Sequence, residues 1–251
     1  MTPEICCLFG ILLFTHTVQA ITGFGSTILA VTIAGNFIPL GILLPLLVSL
    51  NLGLNLYLLL FYPTYFEKKL FFQTLIPWAL IGMIPGMFLF EILPKKVLLS
   101  LLGSTVVFLA AFEILANKKS KKEKVLDNSM PSPLWLIGGG FIQGLYATGG
   151  PLLVYYLAKV IPAKKAFRTT ISVLFLLLNS ILLFKFISLG KINIQTLPTI
   201  LILSPTLLIG IWTGEKLHNR IPETTFRYMV YWLLLIGGGI LLLRNLFGFP
   251  H

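Results

Sequence analysis

Charge is what this chain has least of. Of its 251 residues, 8 are acidic and 19 are Lys or Arg, so that 11% are charged, against about 25% in an ordinary soluble domain. No charged residue lies between Glu4 and Glu67, whereas one helix needs only about 20 apolar residues to cross a bilayer. The shortage of charge excludes an ordinary water-soluble globule and predicts several membrane-spanning segments.

Cysteine and histidine, on which many catalytic and metal sites depend, are also scarce. Cys6 and Cys7 are adjacent within an apolar run, so they form neither a disulfide framework nor a C-x-x-C pair. The three histidines, His16, His218 and His251, are scattered along the chain, and no Gly-x-Ser-x-Gly, His-Glu-x-x-His or P-loop pattern occurs. We therefore expect that the chain is not an enzyme and that it binds neither a metal nor a cofactor.

Basic residues outnumber acidic ones, which gives a formal net charge of +11. They lie between apolar runs rather than on a solvated domain, and in membrane proteins such residues mark the cytoplasmic ends of spans. The surplus therefore predicts orientation in a lipid bilayer, and no nucleic-acid partner is expected. Residues 117–133, with five lysines and two prolines, are predicted to be a cytoplasmic linker.

Apolar runs bounded by charge, proline or glycine predict six spans. They are residues 39–62, 70–92, 97–116, 167–187, 192–214 and 226–244. Two further apolar stretches, residues 5–36 and 134–160, are interrupted near the middle by Gly23-Phe24-Gly25 and by Gly149-Gly150-Pro151. A straight span needs no such break, so each stretch is predicted to form two half-helices.

The two halves of the chain resemble each other in residues that are not merely apolar. The pairs related by 124 or 128 positions include Gln19 and Gln143, Gly25 and Gly149, Asn55 and Asn179, Pro77 and Pro205, Gly82 and Gly210, and Gly86 and Gly214. This pattern predicts an internal duplication, with a first transmembrane repeat at residues 1–116 and a second at residues 134–251. Many transporters are built from such repeats.

The placement of basic residues distinguishes two topologies. If each broken stretch crosses the membrane once, 10 basic residues lie inside and 9 outside; if each enters and leaves on one side, the numbers are 14 and 5. Only the second obeys the positive-inside rule. It leaves three membrane crossings in each half of the chain. Because three is odd, the second half has the opposite orientation in the membrane to the first. The predicted fold is an all-α polytopic membrane protein of two inverted repeats, each a glycine-broken re-entrant hairpin plus three transmembrane helices.

The tips of the two hairpins are the predicted substrate site. Helix N-termini present unpaired N–H groups and the positive end of the helix dipole, so two of them at the bilayer midplane would bind an anion. Glycines permit close backbone approach, although they could also serve helix packing alone. The candidate binding residues are Gln19, Thr22, Gly23, Gly25, Ser26 and Asn55 in the first half, and Gln143, Tyr146, Thr148, Gly149, Gly150, Arg168 and Asn179 in the second.

Some of these polar residues have two interpretations. Arg168 opens a span and is either a headgroup anchor or an entrance residue that attracts anions. Asn55 and Asn179 either bond across helices or line the pathway. His16 and Glu113 could relay protons, but a bond from His16 to a neighbouring helix, and an ion pair of Glu113 with the linker lysines, are the stronger interpretations.

The motifs resemble those of one family. The run from Gly138 to Leu153, GGGFIQGLYATGGPLL, resembles the second-repeat signature of the sulfite exporter TauE/SafE family, also called the four-toluene sulfonate uptake permease group. FRTT at residues 167–170, LLLN at 176–179, GIWTG at 210–214 and the cluster Gly23-Phe24-Gly25 are similar to its other motifs.

This resemblance implies a multi-pass permease of the cytoplasmic membrane. Its substrate would be a small sulfur-containing or organic anion, such as sulfite, thiosulfate, sulfoacetate or a related sulfonate. The expected partners are this anion and the lipid bilayer. A coupling proton or sodium ion and a homo-oligomer stay open, and the alternatives to a transporter are an anion channel and a non-transporting membrane scaffold.

Overall fold

Helices form the whole of the regular structure that the computed structural model describes. The described residues are 3–22, 24–35, 37–61, 65–94, 96–98, 100–105, 107–108, 132–161, 163–218, 239 and 243. The eight helices named in this article are α1 Pro3–Thr22, α2 Ser26–Ala34, α3 Leu40–Phe61, α4 Lys68–Ile92, α5 Leu134–Tyr146, α6 Gly150–Val160, α7 Lys164–Ser188 and α8 Leu197–His218. Residues 96–98 and 100–105 are helical as well.

Four helices, α3, α4, α7 and α8, are long and apolar enough to cross a membrane. At 1.5 Å per residue, 22 residues of α3 extend about 33 Å, slightly more than the hydrocarbon core of a bilayer. They confirm four of the six predicted spans and with them the all-helical, multi-pass character of the chain. Half of the span predicted at residues 97–116, and most of the span at 226–244 and of the linker at 117–133, lie outside the described residues.

Helix α8 begins five residues later than the hydropathy pattern predicts, because a turn precedes it. The Asn193 side-chain oxygen accepts the N–H groups of Gln195 and Thr196 at 2.9 and 3.2 Å, and the Thr196 hydroxyl donates to the Asn193 carbonyl at 2.8 Å. Asparagine side chains compete in this way with helical backbone bonds. The helix therefore begins only at Leu197.

Both broken stretches are interrupted where their glycines predict. The first helical arm ends at Thr22 and the next begins at Ser26. Gly25, just before α2, has a φ of 100°, which residues with a Cβ rarely adopt. In the second stretch Ala147 has a φ of 53°, and its N–H bonds back to the Gln143 carbonyl. One left-handed residue thus terminates or begins a helix at each break.

The two arms of each broken stretch fold back on each other. The Gly149 N–H donates to Gln143 Oε1 at 2.8 Å, and a Cβ on Gly139 would lie 2.7 Å from Leu153 Cγ. In the first stretch the Ser26 hydroxyl donates to Gln19 Oε1. These contacts join residues on either side of the tip, so each stretch is a helical hairpin.

The arms of the first hairpin are unequal, which the half-helix prediction did not anticipate. Helix α1 has 20 residues and α2 has 9, or about 30 and 14 Å. The second hairpin is more even, with 13 residues in α5 and 11 in α6. Length alone therefore makes α1, but not the other three arms, comparable to a full crossing.

Each hairpin packs on a long helix of the other half of the chain. The most extensive contacts are those of α4 with α5 and of α1 with α8, while α3 packs on α7. Glycines allow the close approach. A Cβ on Gly82 of α4 would lie 2.7 Å from the carbonyl carbon of Ile137, and one on Gly210 of α8 would lie 2.7 Å from His16 Cβ.

The contacts repeat with the spacing that relates the halves in sequence. Gly86 lies against Phe141 and Gly144, and Gly214 lies against Thr17 and Ala20. The glycines are 128 positions apart, and their partners are 124 positions apart. The resemblance between the halves therefore extends from residue types to the contacts that those residues make.

Valine at Gly82 tests this packing. Its side chain would meet the backbone of α5, which cannot move aside, and overpacking of this kind costs about 1–3 kcal/mol. We expect the Tm of the detergent-solubilised protein to fall by roughly 2–10 °C.

The matched control is Gly10→Val in α1, where a Cβ meets no atom within 4 Å, so that only the change in helix propensity remains. Equal melting temperatures for the two variants would contradict the packing described for α4 and α5.

Candidate functional site

A small cavity lies between the two hairpin tips and helices α3 and α7. Both halves of the chain line it. The described lining residues, none of them charged, are Gln19, Phe24, Gly25, Thr27, Ile28, Asn51 and Asn55 from the first half, and Ala147, Thr148, Phe175 and Asn179 from the second.

Five of the predicted site residues line this cavity. They are Gln19, Gly25, Asn55, Thr148 and Asn179. One comes from α1, two from the hairpin tips and two from the long helices α3 and α7. The fold therefore brings to one place polar residues that lie up to 160 positions apart in sequence.

Other predicted residues lie next to the cavity and are bonded within the protein. Gln143 is fully buried, and Gly149 bonds to it through its N–H. Ser26 is buried and bonds to Gln19. The Tyr146 hydroxyl donates to the Leu98 carbonyl at 2.7 Å. These contacts give the four residues structural roles, and none of them lines the cavity.

Gly149 is required by the second hairpin. A Cβ there would lie 2.8 Å from Gln143 Cβ and would collide with the Gly139 carbonyl oxygen. Gly150 is the first residue of α6. The side chain of Thr22, Gly23 and the surroundings of Gly150 lie outside the described residues. The glycines of the second tip thus pack the two arms against each other.

Arg168 lies away from the cavity and is paired with an acidic residue. Its Nη2 donates to Glu215 Oε1 of α8 at 2.6 Å. At the other end of α7, Lys185 and Lys191 lie 3.2 and 2.8 Å from Glu91. The ion pairs of α7 are therefore at its two ends, and the role of Arg168 as an anion entrance stays a prediction.

Asn55 and Asn179 combine the two roles that the sequence left as alternatives. Gln19 Nε2 donates to Asn55 Oδ1 at 3.2 Å, and Gln143 Nε2 donates to Asn179 Oδ1 at 2.8 Å. Each bond joins a hairpin arm to a long helix, and each asparagine also lines the cavity.

Two polar atoms at the cavity have no partner among the described residues. They are Asn55 Nδ2 and Thr148 Oγ1, whose residues are 0% and 3% exposed. A buried polar group without a partner costs about 1–3 kcal/mol, so such groups are uncommon in folded proteins. Both atoms can donate a hydrogen bond, which makes them candidate contacts to a ligand.

The sequence analysis missed Asn51, which lies one helical turn before Asn55 on α3. Its Nδ2 donates to Thr27 Oγ1 at 2.7 Å, and the Ser26 hydroxyl lies 2.7 Å from its Oδ1. The four-residue spacing from Asn55 places both amides on one helix face, and this signal could have identified it. The residue 124 positions later is Phe175, so an amide and an aromatic ring occupy corresponding positions in the cavity lining.

Two helices begin next to the cavity. Neither α2 nor α6 has a side-chain cap on its first N–H groups, and such helix ends carry about half a positive charge. Uncapped helix ends and neutral amide and hydroxyl donors are groups with which proteins bind anions. The described lining offers no nucleophile paired with a base, so the arrangement supports binding rather than catalysis.

His16 lies elsewhere, between α1 and α8. Its Nδ1 is 3.1 Å from the hydroxyl oxygen of Thr206, which itself donates to the Leu203 carbonyl. The predicted bond of His16 to a neighbouring helix is therefore confirmed. Glu113, the other residue considered for a proton relay, lies outside the described residues.

The fold and the cavity define a multi-pass helical membrane protein with a small uncharged polar site formed by two interrupted helices. The family model for the sulfite exporter TauE/SafE matches residues 8–241. The chain belongs to the TauE/SafE family, as its motifs predict, and is a membrane anion transporter rather than an enzyme. Neither a curated protein nor a solved structure matches the chain significantly.

Proposed function

We propose that the chain carries a small sulfur-containing or organic anion, such as sulfite, thiosulfate, sulfoacetate or a related sulfonate, across the cytoplasmic membrane. The binding site is the cavity between the hairpin tips. The proposal depends chiefly on Asn55 Nδ2 and Thr148 Oγ1, two buried donors that have no partner in the described part of the chain, in a place where two uncapped helices begin. An oxyanion supplies the acceptors that both lack.

A site of this kind holds an anion without binding it too strongly. Helix ends and neutral donors replace the hydration shell, whereas a buried Lys or Arg would add a full countercharge and slow release. Transport requires binding that is favourable on entry and weak enough for departure. The uncharged lining, with the ion pairs at the ends of α7, is consistent with this requirement.

The lining also has an apolar part that suits the organic portion of a sulfonate. Phe24, Ile28 and Phe175 lie in the same cavity as the amide and hydroxyl donors. An oxyanion group would contact the donors while a short carbon substituent packs on these side chains. Sulfite itself would contact only the amide and hydroxyl donors.

Alternating access by two inverted repeats is the proposed mechanism. The contacts that recur at offsets of 124 and 128 support a two-fold relation between the halves. Because α1 packs on α8 and α4 on α5, each moving body would combine a hairpin arm of one half with a long helix of the other. The two bodies would move against each other along the contact between α3 and α7.

Removal of the Thr148 hydroxyl tests the binding site. Thr148→Val keeps the shape of the side chain and deletes the donor, and hydrogen bonds to a charged ligand contribute about 1.5–3 kcal/mol. We expect the KM for sulfite flux to rise roughly 10-fold or more, measured with labelled sulfite in proteoliposomes.

An inside-negative potential should accelerate anion efflux.

Thr148→Ser is the matched control, because it retains the hydroxyl and is expected to keep the KM within about threefold of wild type. Unchanged flux in Thr148→Val would contradict the site. Flux that increases linearly with sulfite concentration would identify a channel instead of a transporter.

The proposed topology places residues 117–133 and both ends of each hairpin on the cytoplasmic side. A cysteine at position 164, at the start of α7, should then react with a membrane-impermeant thiol reagent only from the cytoplasm. A cysteine at Gln195, an exposed residue beyond the other end of α7, should react only from outside.

Both variants are made after Cys6 and Cys7, which are exposed, have been replaced by serine. Labelling in intact cells and in inverted vesicles separates the two sides. Reaction of the cysteine at position 164 from outside the cell would overturn the re-entrant topology.

A further inference from the structure

We infer that a chain of hydrogen bonds in each half of the protein turns the cavity asparagines so that their N–H groups, and not their carbonyl oxygens, face the ligand. The inference rests on the proposed function, because it explains how that site selects anions. The residues that set the orientation are Gln19 and Gln143, which thereby act as positioning residues.

An asparagine amide can serve either kind of ligand. Its Nδ2 donates two hydrogen bonds, and its Oδ1 accepts them or contacts a cation. The two ends have nearly the same shape, so only the hydrogen-bond network decides which end points where. A cavity lined by freely turning amides would therefore discriminate poorly between anions and cations.

In the second half the direction of the network follows from a backbone group. The Gly149 N–H can only donate, and it lies 2.8 Å from Gln143 Oε1. The other end of the Gln143 amide, Nε2, then donates to Asn179 Oδ1 at 2.8 Å. With Oδ1 engaged, the Nδ2 of Asn179 is the end that remains for the cavity.

The first half has the same order of contacts. The Ser26 hydroxyl, at the start of α2, lies against both Gln19 Oε1 and Asn51 Oδ1 and can donate its single hydrogen to either one. Gln19 Nε2 donates to Asn55 Oδ1 at 3.2 Å. The Nδ2 of Asn55 is buried, and it has no partner among the described residues. In both halves the glutamine precedes its asparagine by 36 positions.

The hydrogen-bond chain explains the role of Gln143, a glutamine that does not line the cavity. Gln143 is fully buried, both ends of its amide are bonded within the protein, and it does not line the cavity. Its effect reaches the ligand through Asn179. The backbone at the start of the second hairpin arm therefore determines which end of the asparagine amide on the long helix faces the cavity.

A double-mutant cycle on the full-length protein in detergent tests this coupling, with sulfite as the probe and calorimetric Kd as the readout. Gln143→Met fills similar space and removes both amide bonds, so Asn179 loses its fixed orientation. We expect sulfite binding to weaken about threefold to tenfold. In an Asn179→Ala background the same change should weaken binding less than about 1.5-fold, because the group through which Gln143 acts is gone.

Equal weakening in both backgrounds would overturn the inference, since a glutamine that only braces the hairpin acts independently of Asn179. Gln195→Met, at an exposed turn residue, is the matched control and should bind sulfite like wild type. If Gln143→Met does not fold, Gln19→Met with Asn55→Ala provides a cycle in the other half. Because Gln19 also lines the cavity, the expected result there is a smaller weakening in the Asn55→Ala background than in the wild-type background, and equal weakening is the contradicting result.

The outcome for the wild-type protein separates this inference from the proposed function. Wild-type protein that binds neither sulfite, thiosulfate nor sulfoacetate would overturn the proposed function together with the inference. If the wild-type protein binds one of these anions but the effects of the two substitutions are additive, the hydrogen-bond chain alone is overturned and the anion site stays in place.

Discussion

A helix that stops inside a membrane leaves backbone N–H and carbonyl groups without partners, and lipid supplies none. Interrupted helices are therefore stable only where protein or a polar cavity shelters the break. In this chain the breaks after Thr22 and Tyr146 both lie beside one cavity, enclosed by α3 and α7. The need to shelter two breaks explains why the hairpins converge, and convergence creates the site.

Glycine permits this enclosure of the helix breaks in two ways. At the tips, Gly25 supplies a left-handed backbone conformation and Gly149 lets one arm approach the other. Between helices, Gly82 and Gly210 permit contact of a hairpin with the opposite half of the chain. Helix association in membranes depends on such close packing, because lipid provides little hydrophobic driving force. The same residue type therefore closes the hairpins and joins the halves.

The two halves are alike in framework and different in lining. Gln19 and Gln143 make matching bonds to Asn55 and Asn179, so the scaffold around the cavity is repeated. Asn51 and Phe175 occupy corresponding positions 124 residues apart, yet one is an amide and the other a ring. A duplicated framework can thus hold an asymmetric ligand, with a charged end and an apolar end.

Local patterns predicted the breaks and most of the described spans, but not every boundary or partner. Hydropathy does not detect the side-chain bonds of Asn193, so it placed the start of α8 too early. The ion pair of Arg168 with Glu215 joins residues 47 positions apart, and no local signal links them. Asn51 could have been recognised from its helical spacing to Asn55, whereas its bond to Thr27 depends on the first hairpin.

The sequence by itself determined the membrane character, the two glycine breaks and the family, because composition and backbone preference act within short stretches of chain. The tertiary structure decided which polar residues share a cavity and which are bonded away from it. Tyr146 and Gln143 are bonded within the protein, while Thr148 Oγ1 and Asn55 Nδ2 have no partner among the residues that the structure describes. Each of these outcomes depends on atoms that only folding brings within hydrogen-bond distance.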